Sequence, residues 1–243
     1  MSDTGLTVLK VKDVKKKEHP LDKTLNPVLP RHPFLELIVA PPKSGKSNLI
    51  INKLLNTNFY DANEYWDQVY FISPSQLHDE TVKHYVPKIE GVIRISEVEE
   101  IMNLQFILDN IVKGQKELLK EKKDMERILI VLDDCVSFLK PCAVLATKYR
   151  HVSLSFIIVS QSFRSIPLIV RNCASSVIFF KLHNQRELDK IQEEYGDNYS
   201  KDFMSLAKHA TAKQYDFSFL NNETMQMFHN YDQLLVDAAS DEN

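Results

Sequence analysis

The run Phe34-Leu-Glu-Leu-Ile-Val39 leads directly into Ala40-Pro41-Pro42-Lys43-Ser44-Gly45-Lys46-Ser47, and Asn48 opens an apolar helical stretch that continues to Leu55. A buried strand, a short loop and a helix in that order give this spacing its meaning as a phosphate-binding P-loop. A loop closing on a helix N-terminus turns several backbone N–H groups inward, and the helix dipole adds positive potential at the same place. Gly45 permits the bend, Lys46 brings a point charge to the β- and γ-phosphates, and the Ser47 hydroxyl suits Mg²⁺. The expected nucleotide contacts are therefore Ala40, Lys43, Ser44, Gly45, Lys46, Ser47 and Asn48, with ATP and Mg²⁺ as the ligands. Ala40 stands where the first glycine of such loops is usual, which is tolerable if its φ is negative. Lys43 reads two ways, as added charge for the γ-phosphate or a neighbouring subunit's nucleotide, or as an ordinary exposed lysine at a loop apex.

Outward from this loop, apolar β-rich runs alternate with helical patterns, the signature of an α/β fold with a mostly parallel sheet covered by helices on both faces. Five core strands are expected, at 34–39, 69–72, 128–132, 154–159 and 177–180. Residues Val98 to Leu119 carry apolar positions at three- and four-residue intervals, which predicts one long amphipathic helix. Two later helices are expected at 185–195 and 200–212, and 215–220 alternates like an edge strand.

The third strand, Ile128-Leu-Ile-Val-Leu132, ends in Asp133-Asp134, a Walker B arrangement. Asp133 is expected to hold Mg²⁺ through water. Asp134, pointing the other way because strand side chains alternate, is expected to act as general base on the attacking water. Cys135 reads as a small buried thiol. GTPase signatures are missing: Asp133-Asp134 runs into Cys-Val-Ser and Asn52-Lys53 into Leu-Leu, so a guanine nucleotide is disfavoured. The fourth strand ends in Ser160-Gln161, which places Gln161 at the carboxyl edge of the sheet, where such folds bind ligands; an amide there can orient water or sense the γ-phosphate. Arg171 and Arg150 are the two candidates for an arginine finger.

Composition fits a soluble globular chain: 44% hydrophobic and 26% charged residues, with a formal net charge of −3. That charge removes bulk basicity as an argument for nucleic-acid binding while leaving local patches open. No apolar stretch approaches the ~20 residues that cross a bilayer, no secretion signal opens the chain, and three cysteines are too few for a disulfide framework. Residues 1–33 carry seven Lys/Arg against four Asp/Glu and four prolines, which predicts a basic, proline-rich arm. An ATPase domain is expected over 34–235 and a short acidic tail over 236–243.

Taken together, Ala40 to Ser47, Trp66-Asp-Gln-Val-Tyr-Phe-Ile-Ser-Pro74, Ile128 to Asp134, Arg150-His-Val-Ser-Leu-Ser-Phe-Ile-Ile-Val-Ser-Gln161, Ile166-Pro-Leu-Ile-Val-Arg-Asn172 and Tyr215-Asp-Phe-Ser-Phe219 resemble the genome-packaging ATPases of nucleocytoplasmic large DNA viruses and their virophage relatives. These are poxvirus-type enzymes of the FtsK-HerA superfamily of P-loop ATPases. The resemblance implies a five-stranded core sheet in the order 5-1-4-3-2 and a homo-oligomeric ring, hexameric or pentameric, that pulls double-stranded DNA through its channel. It further implies capsid vertex or portal-like partners and a place in the host cytoplasm, in a viral factory, or in the virion, without secretion. In that reading Asp133 and Asp134 are the Mg²⁺ and water-activating pair, Gln161 the sensor, and Arg171 the favoured finger acting on the next subunit. A nucleotide-gated partitioning or scaffold ATPase that does not move DNA is the competing class. A small-molecule kinase is disfavoured because no lid arginines cluster after Asp134.

Overall fold

A computed structural model describes residues 19–238. Its strands are β1 (Leu35–Val39), β2 (Gln68–Ile72), β3 (Ile93–Ile95), β4 (Ile128–Asp133), β5 (Leu154–Ser160), β6 (Ser176–Phe180), β7 (Phe217–Asn221), β8 (Gln226–His229) and β9 (Gln233–Asp237). The helices are α1 (Lys46–Leu55), α2 (Ala62–Tyr65), α3 (Glu80–Tyr85), α4 (Val98–Met102), α5 (Leu104–Lys120), α6 (Lys140–Ala146), α7 (Leu168–Asn172), α8 (Gln185–Glu194) and α9 (Phe203–Ala210).

All nine strands form one sheet in the order β3-β2-β4-β5-β1-β6-β7-β8-β9. Pairings from β3 through β6 are parallel, and those of β7, β8 and β9 are antiparallel. The expectation of a five-stranded sheet is thus corrected to a nine-stranded mixed one. The five expected strands stand side by side in it as β6-β1-β5-β4-β2, with β3 added on one flank and β7 to β9 on the other. The segment expected at an edge, β7, instead lies between β6 and β8, and all five of its residues are buried. The single long helix is corrected to α4 and α5, which part at Asn103, where the side-chain amide donates to the Glu99 carbonyl.

Alternation along the strands builds two cores. Leu35, Leu37 and Val39 of β1 face α4 to α9 together with Ile130, Leu132, Phe156 and Phe179. Ile38 faces the other way, with Leu129, Val131, Ile157 and Val159, against Leu49, Ile50 and Leu54 of α1 and Val82 of α3. Glu36 shares that second face and would be an isolated buried carboxylate there. Lys53 of α1, also fully buried, reaches it at 3.0 Å. Ser176 donates to Glu36 at 3.0 Å, Lys53 donates to the Tyr231 hydroxyl at 3.0 Å, and the ammonium lies over the Tyr60 and Tyr231 rings. Burial draws the Lys53 pKa down, and the Glu36 charge opposes it.

Residues 19–33, expected to belong to an extended arm, pack onto the amino edge of the sheet. Asp22 accepts from Arg127 at 2.9 Å and from the Tyr65 hydroxyl at 2.5 Å, Tyr60 donates to the Pro30 carbonyl at 2.7 Å, and Leu25 and Leu29 are buried. The His32 ring nitrogens sit 2.8 Å from the Ser155 and Ser153 hydroxyls. Residues 1–18 of the expected arm and 239–243 of the expected acidic tail lie outside the described residues, and Val236 and Asp237 belong to β9.

Removing one member of a buried ion pair strands the other without solvent, at a cost of about 3–5 kcal/mol. Lys53→Met should therefore destabilise the protein by about that amount in urea unfolding. Lys53→Met combined with Glu36→Gln should recover most of the loss; if the single variant matches wild type, the pair does not hold α1 to the sheet. Burial, with Arg127 adding to it, pushes the His32 pKa down to about 3 from 6.5. As pH falls below 6.5 the unfolded chain takes up a proton that the folded ring refuses, so stability declines through that window toward pH 3. The His32→Gln protein should show a shallower fall in Tm between pH 7 and 5.

Candidate active site

The loop after β1 is pinned at its base by the Ala40 amide, which donates to the Ser160 carbonyl at 2.9 Å. Ala40 is fully buried and is not among the residues with positive φ, so the missing glycine costs the turn nothing. The left-handed positions fall instead on Lys43 (φ 62°) at the exposed apex and Gly45 (φ 100°) at the helix cap. A Cβ at Gly45 would stand 3.1 Å from the Tyr215 ring as well as in a strained conformation, which explains the glycine twice over.

Lys46 points to the carboxyl end of β4. Its ammonium lies 3.1 Å from Asp133 and 2.7 Å from Asp134. Burial pulls the Lys46 pKa down, but the two carboxylates outweigh it and hold the group above its ordinary value. Burial pushes the Asp133 carboxyl up, with Lys46 opposing and Asp134 reinforcing the shift. The expectation that Asp134 points away from Asp133 is corrected. Strand β4 ends at Asp133, Asp134 takes φ 55°, and this left-handed step turns both carboxylates onto one cation. Gln161 also arrives here, its amide donating to Asp134 at 3.5 Å.

Ser47 donates to Asp79 at 2.5 Å. Asp79 uses its other oxygen to cap α3 through the amides of Thr81 and Val82, so it is held in place when it meets Ser47. Asp79 and Ser73, which donates to Asp133 at 3.3 Å, are site residues that the sequence reading passed over. Their signal was available: both follow the carboxyl end of β2, the same edge that singled out Gln161. The cavity that these groups surround, about 740 Å³, is lined by Lys43, Gly45, Lys46, Ser47, Asn48, Ser75, Asp79, Asp134, Gln161 and Tyr215.

The donor set fits a nucleotide with a divalent metal. Loop backbone, Lys46 and the α1 N-terminus offer positive potential to phosphates. The Ser44 hydroxyl, buried in the loop with no partner among the described residues, is a donor without an acceptor. Ser47, Asp133 and Asp79 supply hard oxygen ligands of the kind Mg²⁺ prefers. Cys135, beside the pair, is no nucleophile, because burial pushes its thiol up to about 12.

The two arginines are not brought to this cavity. Arg171, in the turn of α7 that leads back to the amino edge of β6, is buried, pairs with Glu194 at 3.1 Å, stacks on Phe163 and donates to the Phe163 carbonyl. Its guanidinium is thus engaged within its own subunit, where a group reaching a neighbour had been expected. Arg150, at the amino edge just before β5, is half exposed and pairs with Glu223 at 2.8 Å. Among the described residues no helix is long and apolar enough to cross a membrane.

Similarity to known proteins agrees with this geometry. No curated protein matches the sequence. The fold is similar to the DNA-packaging ATPase B204 of Sulfolobus turreted icosahedral virus (TM-score 0.59, 16% identity, 81% of this chain and 97% of that one). It is also similar to the genome-packaging NTPase B204 of Sulfolobus turreted icosahedral virus 2, solved with AMPPCP (TM-score 0.56, 17% identity, 80% and 95%). The pCW3 conjugation coupling protein TcpA is more distant (TM-score 0.53, 15% identity, 76% and 56%). At these identities the likeness is one of fold. A model of the poxvirus A32 protein family, however, matches residues 25–223, most of the chain. With the P-loop, the acidic pair and the glutamine-ended β5 all in their places, the resemblance read from the sequence holds, and the chain belongs to the poxvirus A32 protein family.

Proposed function

We propose that the protein is an ATP-hydrolysing motor that translocates double-stranded DNA into a viral capsid, working as a homo-oligomeric ring at a capsid vertex or portal-like partner in a viral factory or virion. The convergence of Lys46, Asp133, Asp134 and Gln161 on one cavity carries the enzymatic part of this reading. Family membership and the packaging ATPases of like fold support the motor part.

In this mechanism the phosphates settle on the loop amides and draw Lys46 off the carboxylates it holds in the structure. Ser47 and Asp133 would hold Mg²⁺, which would supply charge neutralisation to the phosphates. Asp79 keeps the Ser47 hydroxyl aimed. Asp134, released from Lys46, accepts the proton of the water that attacks the γ-phosphorus, and ADP leaves as the β–γ bridge breaks. Gln161, already bonded to Asp134, orients the same water. For the finger we favour Arg150 over Arg171, because only Arg150 has an exposed guanidinium held by a solvent-facing partner, whereas that of Arg171 is buried against Phe163 and Glu194.

Asp134→Asn should retain ATP binding and lose turnover, since an amide cannot take the proton. Wild-type turnover should rise steeply with added double-stranded DNA. Hydrolysis at the wild-type rate in the Asp134 variant would remove it as base, and turnover indifferent to DNA would favour a nucleotide-gated scaffold.

An arginine finger is worth ~10³–10⁵ in rate, so Arg150→Ala alone should be nearly inactive. Mixed with Lys46→Ala it should regain hydrolysis, because one subunit keeps an intact loop and the other lends its arginine. Arg171→Ala, which leaves Glu194 without its guanidinium, should show a lowered Tm and no such rescue. Rescue of Arg171→Ala but not Arg150→Ala in rings shown to mix by light scattering would reverse the assignment.

A further inference from the structure

Glu187 is 8% exposed, and among the described residues it meets no cation. A buried carboxylate without one is costly unless hydrogen bonds offset it. Two do: the Ser162 hydroxyl donates to one oxygen and the Arg164 backbone amide to the other, each at 3.1 Å. Its place in α8 helps as well. Asn184 caps that helix, its side chain accepting from the Arg186 amide, so Glu187 is the third helical residue, where the positive end of the dipole favours an anion. A glutamate at that position ordinarily turns back to the amide of its own cap. Here it binds the loop that follows β5 instead.

That loop carries Gln161. The next residue, Ser162, is held at every polar group: its amide donates to the Ser160 hydroxyl at 3.0 Å, its carbonyl accepts from the Ser160 and Ser165 hydroxyls at 2.7 Å each, and its hydroxyl is held by Glu187. On the other side Ser160 ends β5 in register with Val39, and its carbonyl accepts from Ala40. Gln161 is a single residue between two fixed ones. Its own side chain is exposed and reaches Asp134 only at 3.5 Å, the long limit of a hydrogen bond. The aim of that amide is therefore set by the backbone on either side of it.

Resting on the role given to Gln161 above, we infer that Glu187 is a positioning residue for ATP hydrolysis: by gripping Ser162 and Arg164 from α8, it holds Gln161 where its amide can orient the attacking water. The serine bonds fix the shape of the turn, but all of them lie within residues 160–165 and move with it. Glu187 ties the turn to another element. Leu188 and Ile191 of the same helix are buried in the core, so the tie places the turn relative to the sheet and to Asp134. Phe163 also anchors the turn, its ring 5.9 Å from that of Tyr195, but apolar packing is non-directional. Two donors that face one point from different residues need two acceptors on one group, which a carboxylate supplies.

The test measures kcat, ATP affinity and Tm of the full-length protein with Mg²⁺ for Gln161→Ala, Glu187→Ala, Glu187→Gln, Ser162→Ala and the double variant Gln161→Ala/Glu187→Ala. A misplacement of about 1 Å costs on the order of 10²-fold in rate. Glu187→Ala should lower kcat at least ~10-fold while ATP affinity stays within about two-fold of wild type. Glu187→Gln should recover most of kcat, because its oxygen accepts from Arg164 while its nitrogen donates to the Ser162 oxygen. Since Glu187 acts through Gln161, the double variant should be no slower than Gln161→Ala alone. Ser162→Ala removes one of the two bonds without touching α8, so it should slow turnover by a smaller factor even if Glu187→Ala does not fold. A wild-type kcat in folded Glu187→Ala or in Ser162→Ala, losses that multiply in the double variant, or ATP affinity falling in step with kcat would overturn the assignment. A wild-type rate in Gln161→Ala would remove the sensor reading and this assignment with it, whereas a slowed Gln161→Ala beside an unaffected Glu187→Ala sinks the positioning role alone.

Discussion

The pairing of Lys46 with Asp133 and Asp134 sets the terms for the rest of the molecule, because it requires the ends of two strands that are not neighbours to finish at one level. Parallel strands lie ~4.8 Å apart, and β5 separates β1 from β4. The spacer strand is fixed to both sides: Val39 registers with Ser160 on one side and Asp133 with Val159 on the other. Beyond those pairs the Ala40 amide still donates to the Ser160 carbonyl and the Asp134 amide to the Val159 carbonyl. Three strands therefore stop together, and the cation from the first reaches the acids of the third over the end of the second. That second strand delivers Gln161 into the same space, so the position of its side chain beside Asp134 follows from the register.

The same strand order makes the helix that carries Lys46 a structural problem. A helix N-terminus can present loop amides to phosphates only if the helix does not shift on the sheet, and α1 is only ten residues long. Its apolar contacts with Ile38 and its neighbours are non-directional. The fully buried Lys53 and Glu36 supply direction two turns below the loop, with Ser176 and Tyr231 taking up remaining hydrogen-bonding capacity. Buried ion pairs add little net stability over apolar residues of the same volume; what this one adds is a unique position for α1 relative to β1, β6 and the β8–β9 turn.

The legible parts of the sequence were those in which local pattern and tertiary role coincide. The apolar runs of β1, β4, β5 and β6 are buried on both faces, so short β-rich stretches read correctly as core strands, and the P-loop follows from its flanks. Strand β3 has three residues, two of them exposed, and gives no such run. The turn between β7 and β8 lacks the usual Gly or Asn-Gly signal, its positive φ being carried by Met225, so the antiparallel extension was hidden and β7 looked like an edge. Asp134 was misread because alternation was carried one residue past the strand. Arg171 was expected to act on the next subunit, and its pairing with Glu194 on a different helix could not be read, because charge pairing across elements has no local signature.

The hidden extension bears on the site as well as on the sheet. A parallel core alone would leave the outer flank of α1 facing solvent past β6. Antiparallel β7 carries Phe217 onto that flank, and the β8–β9 turn closes over it with Asn230 tied back to Phe217. Lys53 touches both structures, holding α1 to Glu36 through one contact and the Tyr231 hydroxyl of the turn through another. One buried ammonium thus fixes the phosphate-bearing helix and the aromatic wall beside it to a common reference. For that reason the spacing between the P-loop and that wall is a property of the core.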